Sequence, residues 1–573
     1  MNAERLLAHY HRIADAPDAI ARLRRFILNL AVRGKLVPQN PNDEPAAELL
    51  KRIAREIPAS KGGRSWTGPM AYDVPKGWVW IRLGRLVAHS DAGWSPKTED
   101  FPRSGDEWGV LKVSAVSWDK FRPWENKQVL PGTEPRTQAE VKQGDFLISR
   151  ANTAELIARA VRVEDHPFKL MMSDKIVRLH LSANCDHRFV WIVNNYADFA
   201  REHYVHHASG VSPSMKNVSR DVILNLPFPL PPLAEQHRIV AKVDELMALC
   251  DRLEAARKAR EATRDRLAAA SLARLNAPDP DTFPDDARFV LNTLPALTAR
   301  PDQIKQLRQT ILNLAVRGKL VPQDPNDEPA SELLKRIAKE KARLVKAGEI
   351  RPDRPLSMIE QDDFPMSVPI GWALARLATI SLRIHYGFTA SADFALKNVR
   401  LLRITDIQDN AVDWPSVPGC VIDAGNVDQY KIEKGDILIA RTGGTIGKTF
   451  LVRDAPVTAV FASYLIRVQG TRHVFDEYLK LFLESPLYWT QLRDGARGTG
   501  QPNVNGHTLG MLIVSLPPLA EQHRIVAKVD ELMALCDRLE ASLATAADTS
   551  RRLLDALLVE ALAPAESKLE AAQ

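Results

Sequence analysis

Between Leu230 and Ala255 the apolar residues Ile239, Val243, Leu246, Cys250 and Leu253 fall at alternating spacings of four and three. That seam predicts a coiled-coil helix rather than an ordinary surface helix. Pro231 and Pro232 suit a helix entrance, Glu235 complements the positive end of the dipole, and Pro278 and Pro280 stop the helix after Asn276. Such a helix would be ~60 Å long at 1.5 Å per residue. The same seam returns at Ile525, Val529, Leu532, Cys536 and Leu539 and runs on to Leu557. A second helical pattern puts Ile20, Leu23, Ile27, Leu30 and Ala31 on one face, with Asp18 as N-cap and Gly34 and Pro38 as terminators. Asp302, Gly318 and Pro322 repeat those signals. The stretches between are mixed: Trp78–Val87, Phe146–Arg150 and Asp174–Leu181 alternate like strands, while Arg188–Tyr204 and Asp476–Arg493 read as helices.

Both helical patterns are written twice. "LPPLAEQHRIVAKVDELMALCDRLEA" at Leu230–Ala255 recurs letter for letter at Leu516–Ala541 (element A). "ILNLAVRGKLVPQNPNDEPAAELLKRIA" at Ile27–Ala54 recurs at Ile311–Ala338, differing only at Asn40/Asp324 and Ala47/Ser331 (element B). Repeats of this kind fix the architecture before any local reading. The chain is therefore ordered B, insert, A, B, insert, A. The inserts share only landmarks: "VPKGW" (Val74–Trp78) with "VPIGW" (Val368–Trp372), "LKVSAV" (Leu111–Val116) with "LRITDI" (Leu402–Ile407), and "KQGDFLISR" (Lys142–Arg150) with "EKGDILIAR" (Glu433–Arg441). The boundaries drawn from this are 1–69, 70–229, 230–363, 364–515 and 516–573. The linker Ala277–Arg300 lets the chain turn back, so the central A and B helices are expected to pack antiparallel. By symmetry the C-terminal A helix should meet the N-terminal B helix, giving a closed, pseudo-two-fold molecule with two α/β inserts.

At 573 residues the chain has room for three or four domains. No run of about 18 apolar residues suggests a membrane span, and the N-terminus has no secretory pattern. The four cysteines include no Cys-x-x-Cys pair, which argues against a zinc site or disulfide framework and for reduced cytosolic thiols. A net charge of +6 is compatible with a polyanionic partner.

Catalytic motifs fail one by one. "RTGGTIGKTF" (Arg441–Phe450) resembles a phosphate-binding loop, but Thr442 stands where its first glycine is needed, so it reads as a strand-to-strand turn. No glycine-rich cofactor loop or Asn-Pro-Pro-aromatic tetrapeptide supports a methyltransferase. Glu125–Lys127 and Glu140–Lys142 lack the preceding Pro-Asp of a metal-dependent nuclease. His237 and His523, beside Gln and Arg at a helix start, read as surface or inter-subunit residues. What remains is polar and basic residues at corresponding points of the inserts. Lys112 and Ser114 match Arg403 and Thr405, Arg150 and Asn152 match Arg441 and Gly443, and Asn217 matches Asn503. All of these except Gly443, together with Lys175, Lys216, Thr442, Lys448 and Asn505, form the candidate nucleic-acid-contacting set, because such side chains fit base edges and phosphates.

The duplicated A and B elements, the "VP.GW" entrance and the "GD.LI.R" segment together resemble the specificity subunits of type I restriction–modification systems, over Pro17 to Leu562. The resemblance implies two target-recognition domains (70–229 and 364–515), held apart by two long antiparallel coiled-coil helices. Each would read one half of a split, asymmetric double-stranded DNA sequence. It implies a non-catalytic, cytoplasmic chain that binds no cofactor itself. Two modification subunits would carry S-adenosylmethionine, and restriction subunits would use ATP and Mg. Two other readings are a specificity subunit for another methyltransferase–nuclease enzyme and a coiled-coil adaptor that binds only proteins.

Overall fold

The computed structural model describes residues 16, 18–57, 68, 71–210, 215–277, 279, 281–352, 355–360, 363–364, 367–495 and 504–562. Its helices include α1 (Ala19–Val32), α2 (Ala46–Glu56), α3 (His187–Tyr196), α4 (Asp198–His207), α5 (Leu233–Asn276), α6 (Phe283–Leu297), α7 (Pro301–Val316), α8 (Ala330–Lys346), α9 (Asp476–Phe482), α10 (Pro486–Gly495) and α11 (Leu519–Leu562). Among the described residues, contacts divide the chain into two units at Ala259/Arg260 and Ala546/Ala547. Unit 1 holds the first B element, the first insert, the first part of α5 and the end of α11. Unit 2 holds the corresponding second set. No described helix is long and apolar enough to cross a membrane.

The repeated segments meet at one joint in each unit. In unit 1, Gly34 has φ +66 and packs so closely on Pro75 that a Cβ would lie 2.5 Å from its Cγ, which is why glycine follows α1. Ala46 N, at the start of α2, donates to Gly77 O at 2.8 Å. These contacts seat Trp78, whose Nε1 donates to Glu235 Oε2 at 3.0 Å; Gln39 Nε2 donates to Glu235 Oε1 at 2.8 Å. Arg238 grips Asp43 with both η nitrogens, and Gln236 ties the α5 entrance to the insert by donating to Pro231 O and accepting from Asp186 N. Unit 2 rebuilds the joint. There Gly318 packs on Pro369, Trp372 and Gln323 donate to Glu521, Arg524 grips Asp327, and Gln522 accepts from Phe475 N. Glu235 and Glu521 are 1% exposed. Burial pushes both carboxyls above their usual range, and the Trp and Gln donors oppose that rise without cancelling it.

Next to the joint, each insert is zipped shut at its ends. Val79–Arg82 pairs antiparallel with Pro227–Leu230, and Ala373–Arg376 with Ile513–Leu516. The expected strand over Trp78–Val87 is broken by a 3-10 turn, Leu83–Leu86, after which a second strand, Val87–Ala92, begins. That strand is the edge of a four-stranded antiparallel sheet, followed by Ile176–Leu181, Phe146–Ser149 and Ala160–Arg162. One sheet face packs on α3 and α4, the two helices into which Arg188–Tyr204 divides. Arg178 crosses the other face, donating to Asp145 Oδ2 at 2.9 Å and to the carbonyls of Glu140 and Gln138. In unit 2, Arg467 donates to Asp436 and to Lys431 O in the same way. The Asp of "GD.LI.R" is thus a partner for a buried arginine. The "RTGGTIGKTF" stretch links the antiparallel strands Ile437–Ala440 and Thr449–Leu451, the turn that the sequence suggests.

The B helices run antiparallel to the A helices that follow their own inserts. Arg24 pairs with Asp251 and Glu254 while Gln39 meets Glu235; Arg308 pairs with Asp537 and Glu540 while Gln323 meets Glu521. The central pair differs from expectation. Arg300 meets Glu261 and Asp265, and Asn313 meets Asn276, so α7 runs parallel to the end of α5. The reason is that the linker is no simple turn: α6 runs back along α5, with Arg274 on Asp286 and Ala268, Leu275, Val290 and Leu297 in one cluster. Within unit 2, α7 is therefore antiparallel to α11 and parallel to the end of α5, so the parts of the two long helices in this unit point in opposite directions. In unit 1 the end of α11 meets α1 through Ala16, Ala19 and Leu554 and through Arg22 on Asp555, as symmetry requires. The capping expectation holds in part: Asp18 is the N-cap of α1, with φ 57 and no side-chain cap bond, whereas Asp302 lies inside α7, behind its N-cap Arg300.

Trp78→Phe keeps the packed ring and removes the N–H that meets Glu235. It is expected to cost about 1–3 kcal/mol, the penalty of an unmet buried acceptor. Trp372→Phe is expected to cost a similar amount, and the two should add because they lie in separate joints. Urea unfolding checks this; midpoints equal to the parent's would remove the joint from the account of stability.

Candidate nucleic-acid interface

In unit 1 four pieces of backbone come together at one rim of the insert. They are Lys112 with the 3-10 turn Val113–Ala115, the segment Arg150–Asn152, Lys175 at the head of strand Ile176–Leu181, and the short strand Lys216–Asn217. Arg150 N donates to Lys175 O at 2.7 Å and Val218 N to Arg150 O at 2.9 Å, while Lys216 pairs with Asn152. Unit 2 repeats the weave: Arg441 N donates to Tyr464 O at 3.1 Å and Val504 N to Arg441 O at 3.2 Å. Tyr464 therefore stands where unit 1 has Lys175.

The candidate side chains separate by what already holds them. Ser114 Oγ donates to Glu125 at 2.9 Å, with Lys112 Nζ 3.9 Å from the same carboxylate. Asn152 donates to Ser117 Oγ at 2.7 Å and accepts from Thr153 N at 2.9 Å. Arg150 Nε donates to Val218 O at 3.3 Å, Lys216 Nζ to Gly210 O at 2.7 Å, and Asn217 pairs through its backbone with Ser209 and Ala151. Lys175 lies 3.3 Å from Asp174, a carboxyl held below its usual range first by Ser95 and then by Lys175. In unit 2, Arg403 forks onto Asp406, a bond that raises the guanidinium above its usual value, and stacks over Phe394. Arg441 stacks over Tyr386 at 4.6 Å. Thr442 is the N-cap of Gly443–Thr445, and Asn505 caps Gly506–Gly510 by accepting from Thr508 N at 2.8 Å. Thr405 and the exposed Lys448 line one cleft. Asn503 lies outside the described residues.

Each rim thus combines amines that reach solvent with polar groups that shape the backbone. Sequence reasoning passed over the exposed apolar members: Trp118 and Met215 in unit 1, Phe394 and Tyr464 in unit 2. Their signal was an aromatic or methionine in a loop among charges, with no periodicity to bury it. Amines beside exposed rings suit a polyanion whose bases offer flat apolar faces and edges.

The sequence profile described as the type I restriction modification DNA specificity domain matches residues 75–261 and 417–546. The chain is also 31% identical over 566 residues to the EcoAI specificity subunit of Escherichia coli, covering 94% of this chain and 93% of that one. The chain belongs to the type I restriction–modification DNA specificity family. The Escherichia coli EcoEI specificity subunit is 29% identical over 569 residues, covering 95% and 94% of the two chains. The crystal structure of the HsdS subunit from Thermoanaerobacter tengcongensis is 19% identical and covers 86% of this chain and 98% of its own, with a TM-score of 0.44.

For a DNA-specificity chain the candidate lysines have a defined signature. Lys175→Ala and Lys448→Ala should each lower the slope of log affinity against log salt by about 1, weakening binding evenly across sequences. DNA titrations at several salt concentrations measure it. An unchanged slope in both variants would put these amines away from the phosphates.

Proposed function

We propose that this DNA-specificity subunit reads a bipartite, asymmetric target, unit 1 taking one half and unit 2 the other. The observation that carries this reading is that one scaffold presents a rim at the same place in both units while the rim residues differ. Lys112, Asn152 and Lys175 stand against Arg403, Gly443 and Tyr464. Equal scaffolds with unequal readers are what an asymmetric, split target requires.

The same logic extends to partners. Two identical subunits can dock equivalently on one chain only where it offers two equivalent surfaces. The repeated A and B elements supply them, and we assign them to two methyltransferase subunits. S-adenosylmethionine belongs to those partners, and ATP and Mg to the restriction subunits; this chain contributes recognition in the cytoplasm rather than catalysis. We take the inserts 70–229 and 364–515 as the recognition domains, a division supported by the pairing of a strand near the start of each insert with one near its end. The 44-residue α5 and α11, each ~66 Å long, set the number of base pairs between half-sites, at ~3.4 Å per pair.

Replacing residues 70–229 with the insert of another specificity subunit should change one half-site and leave the other intact. Mapping adenine methylation in a host carrying the hybrid checks this, and a change in both halves refutes modular reading. Lengthening α5 and α11 by matched heptads should change the spacer and keep both sets of letters. An unchanged spacer in the methylated motif would refute the ruler.

A further inference from the structure

Trp118 is 43% exposed and Met215 53% exposed on a rim that otherwise carries charge. They flank a cleft of about 220 Å³ whose walls also include Val113, Ala151 and Leu156. Arg122 lies 4.6 Å over the Trp118 ring and fixes the indole's orientation. The polar groups of the cleft are turned inward. Ser117 Oγ donates to Val113 O at 2.6 Å and accepts from Asn152 Nδ2 at 2.7 Å. Asn152 Oδ1 accepts from Thr153 N, and Ser114 Oγ donates to Glu125. The result is an apolar socket ringed by amines. Lys175 lines it, and Lys112 and Lys216 adjoin Val113 and Met215 in the chain.

A surface of this chemistry approaches DNA through its cations and then meets one groove feature by shape and desolvation rather than by hydrogen bonding. The major-groove edges of the four bases present donors and acceptors throughout, with one apolar group among them, the 5-methyl of thymine. Resting on the reading of unit 1 as a recognition domain, we infer that its half-site contains an A·T pair read by seating the thymine methyl in the socket between Trp118 and Met215. Among the described residues, unit 2 does not repeat the Trp118 wall of the socket. At the position matching Trp118, unit 2 has Asp409, which with Asn410 adopts positive φ in the tight turn between Ile407–Gln408 and Ala411–Val412. A specificity determinant should differ between inserts in this way.

The test uses the full chain in complex with its methyltransferase partners and a duplex carrying its mapped target. Each thymine of the unit 1 half-site is replaced singly by deoxyuridine, which removes only the methyl. One position should lose about four-fold in affinity, the worth of one buried methyl group. Trp118→Ala and, independently, Met215→Ala should bring the thymine/deoxyuridine ratio at that position toward one, with unit 2 half-site discrimination unchanged. A half-site made only of G·C pairs, indifference to every thymine methyl, or a ratio undiminished in both variants overturns the socket. If exchanging the first insert leaves that half-site unaltered, it is the recognition-domain reading that falls.

Discussion

Everything in each unit hangs from a buried carboxylate with three segments of chain around it. Glu235 opens the long helix α5, receives the indole N–H of Trp78 from the insert entrance, and receives the amide of Gln39 from the B element. A carboxylate this deeply buried is tolerable only while its donors stay in place; with one withdrawn, the charge is left in a medium that cannot solvate it. Glu521 imposes the same condition on unit 2. The three segments are far apart in sequence, so the joint specifies tertiary structure rather than local propensity. This accounts for near-identical repetition of the stretches that build the joint. Gly34 must lack a side chain to admit Pro75, Pro75 and Gly77 must place Trp78, and Trp78 must find Glu235. Substitution at any one propagates to the others.

With its ends clamped by that joint and by the paired terminal strands, the insert is free to vary elsewhere. What it keeps is what its own core needs: a buried arginine, Arg178 or Arg467, across the sheet on the aspartate of "GD.LI.R". What it changes is the rim, where backbone bonds such as Arg150 N to Lys175 O hold position whatever the side chain. Backbone pairing fixes geometry without fixing identity, and that separation lets a specificity chain acquire new letters without losing its fold.

Much of this was legible in the sequence because repetition and period survive without a structure. The A and B helices, the end of α5 at Asn276 and the strand Ile176–Leu181 all follow from spacing. The direction of α7 against α5 did not, since the Pro-rich linker conceals α6, whose apolar residues only make sense once α5 is there to receive them. Rim residues were legible as positions and not as roles. Asn152 and Arg403 have the right chemistry for bases, yet each is spoken for by a neighbour, Ser117 and Asp406, that only the folded chain brings into range. Trp118 and Tyr464 were missed for the converse reason: an aromatic residue carries a burial expectation, and the structure leaves these two outside.

The two rims also differ in how they present charge. Unit 1 offers Lys112, Lys175 and Lys216, long flexible amines that act as point charges. Unit 2 stacks its guanidiniums, Arg403 over Phe394 and Arg441 over Tyr386, and puts Tyr464 where unit 1 has Lys175. A stacked guanidinium loses less freedom on contact and holds its plane, whereas a lysine finds a phosphate from many directions. The two halves of one target would then be met by cations of different kinds, mobile amines beside an apolar socket in unit 1 and oriented guanidiniums in unit 2. Nothing in the shared framework forces such a difference, because the joint at Glu235 or Glu521 shares no residue with the rim.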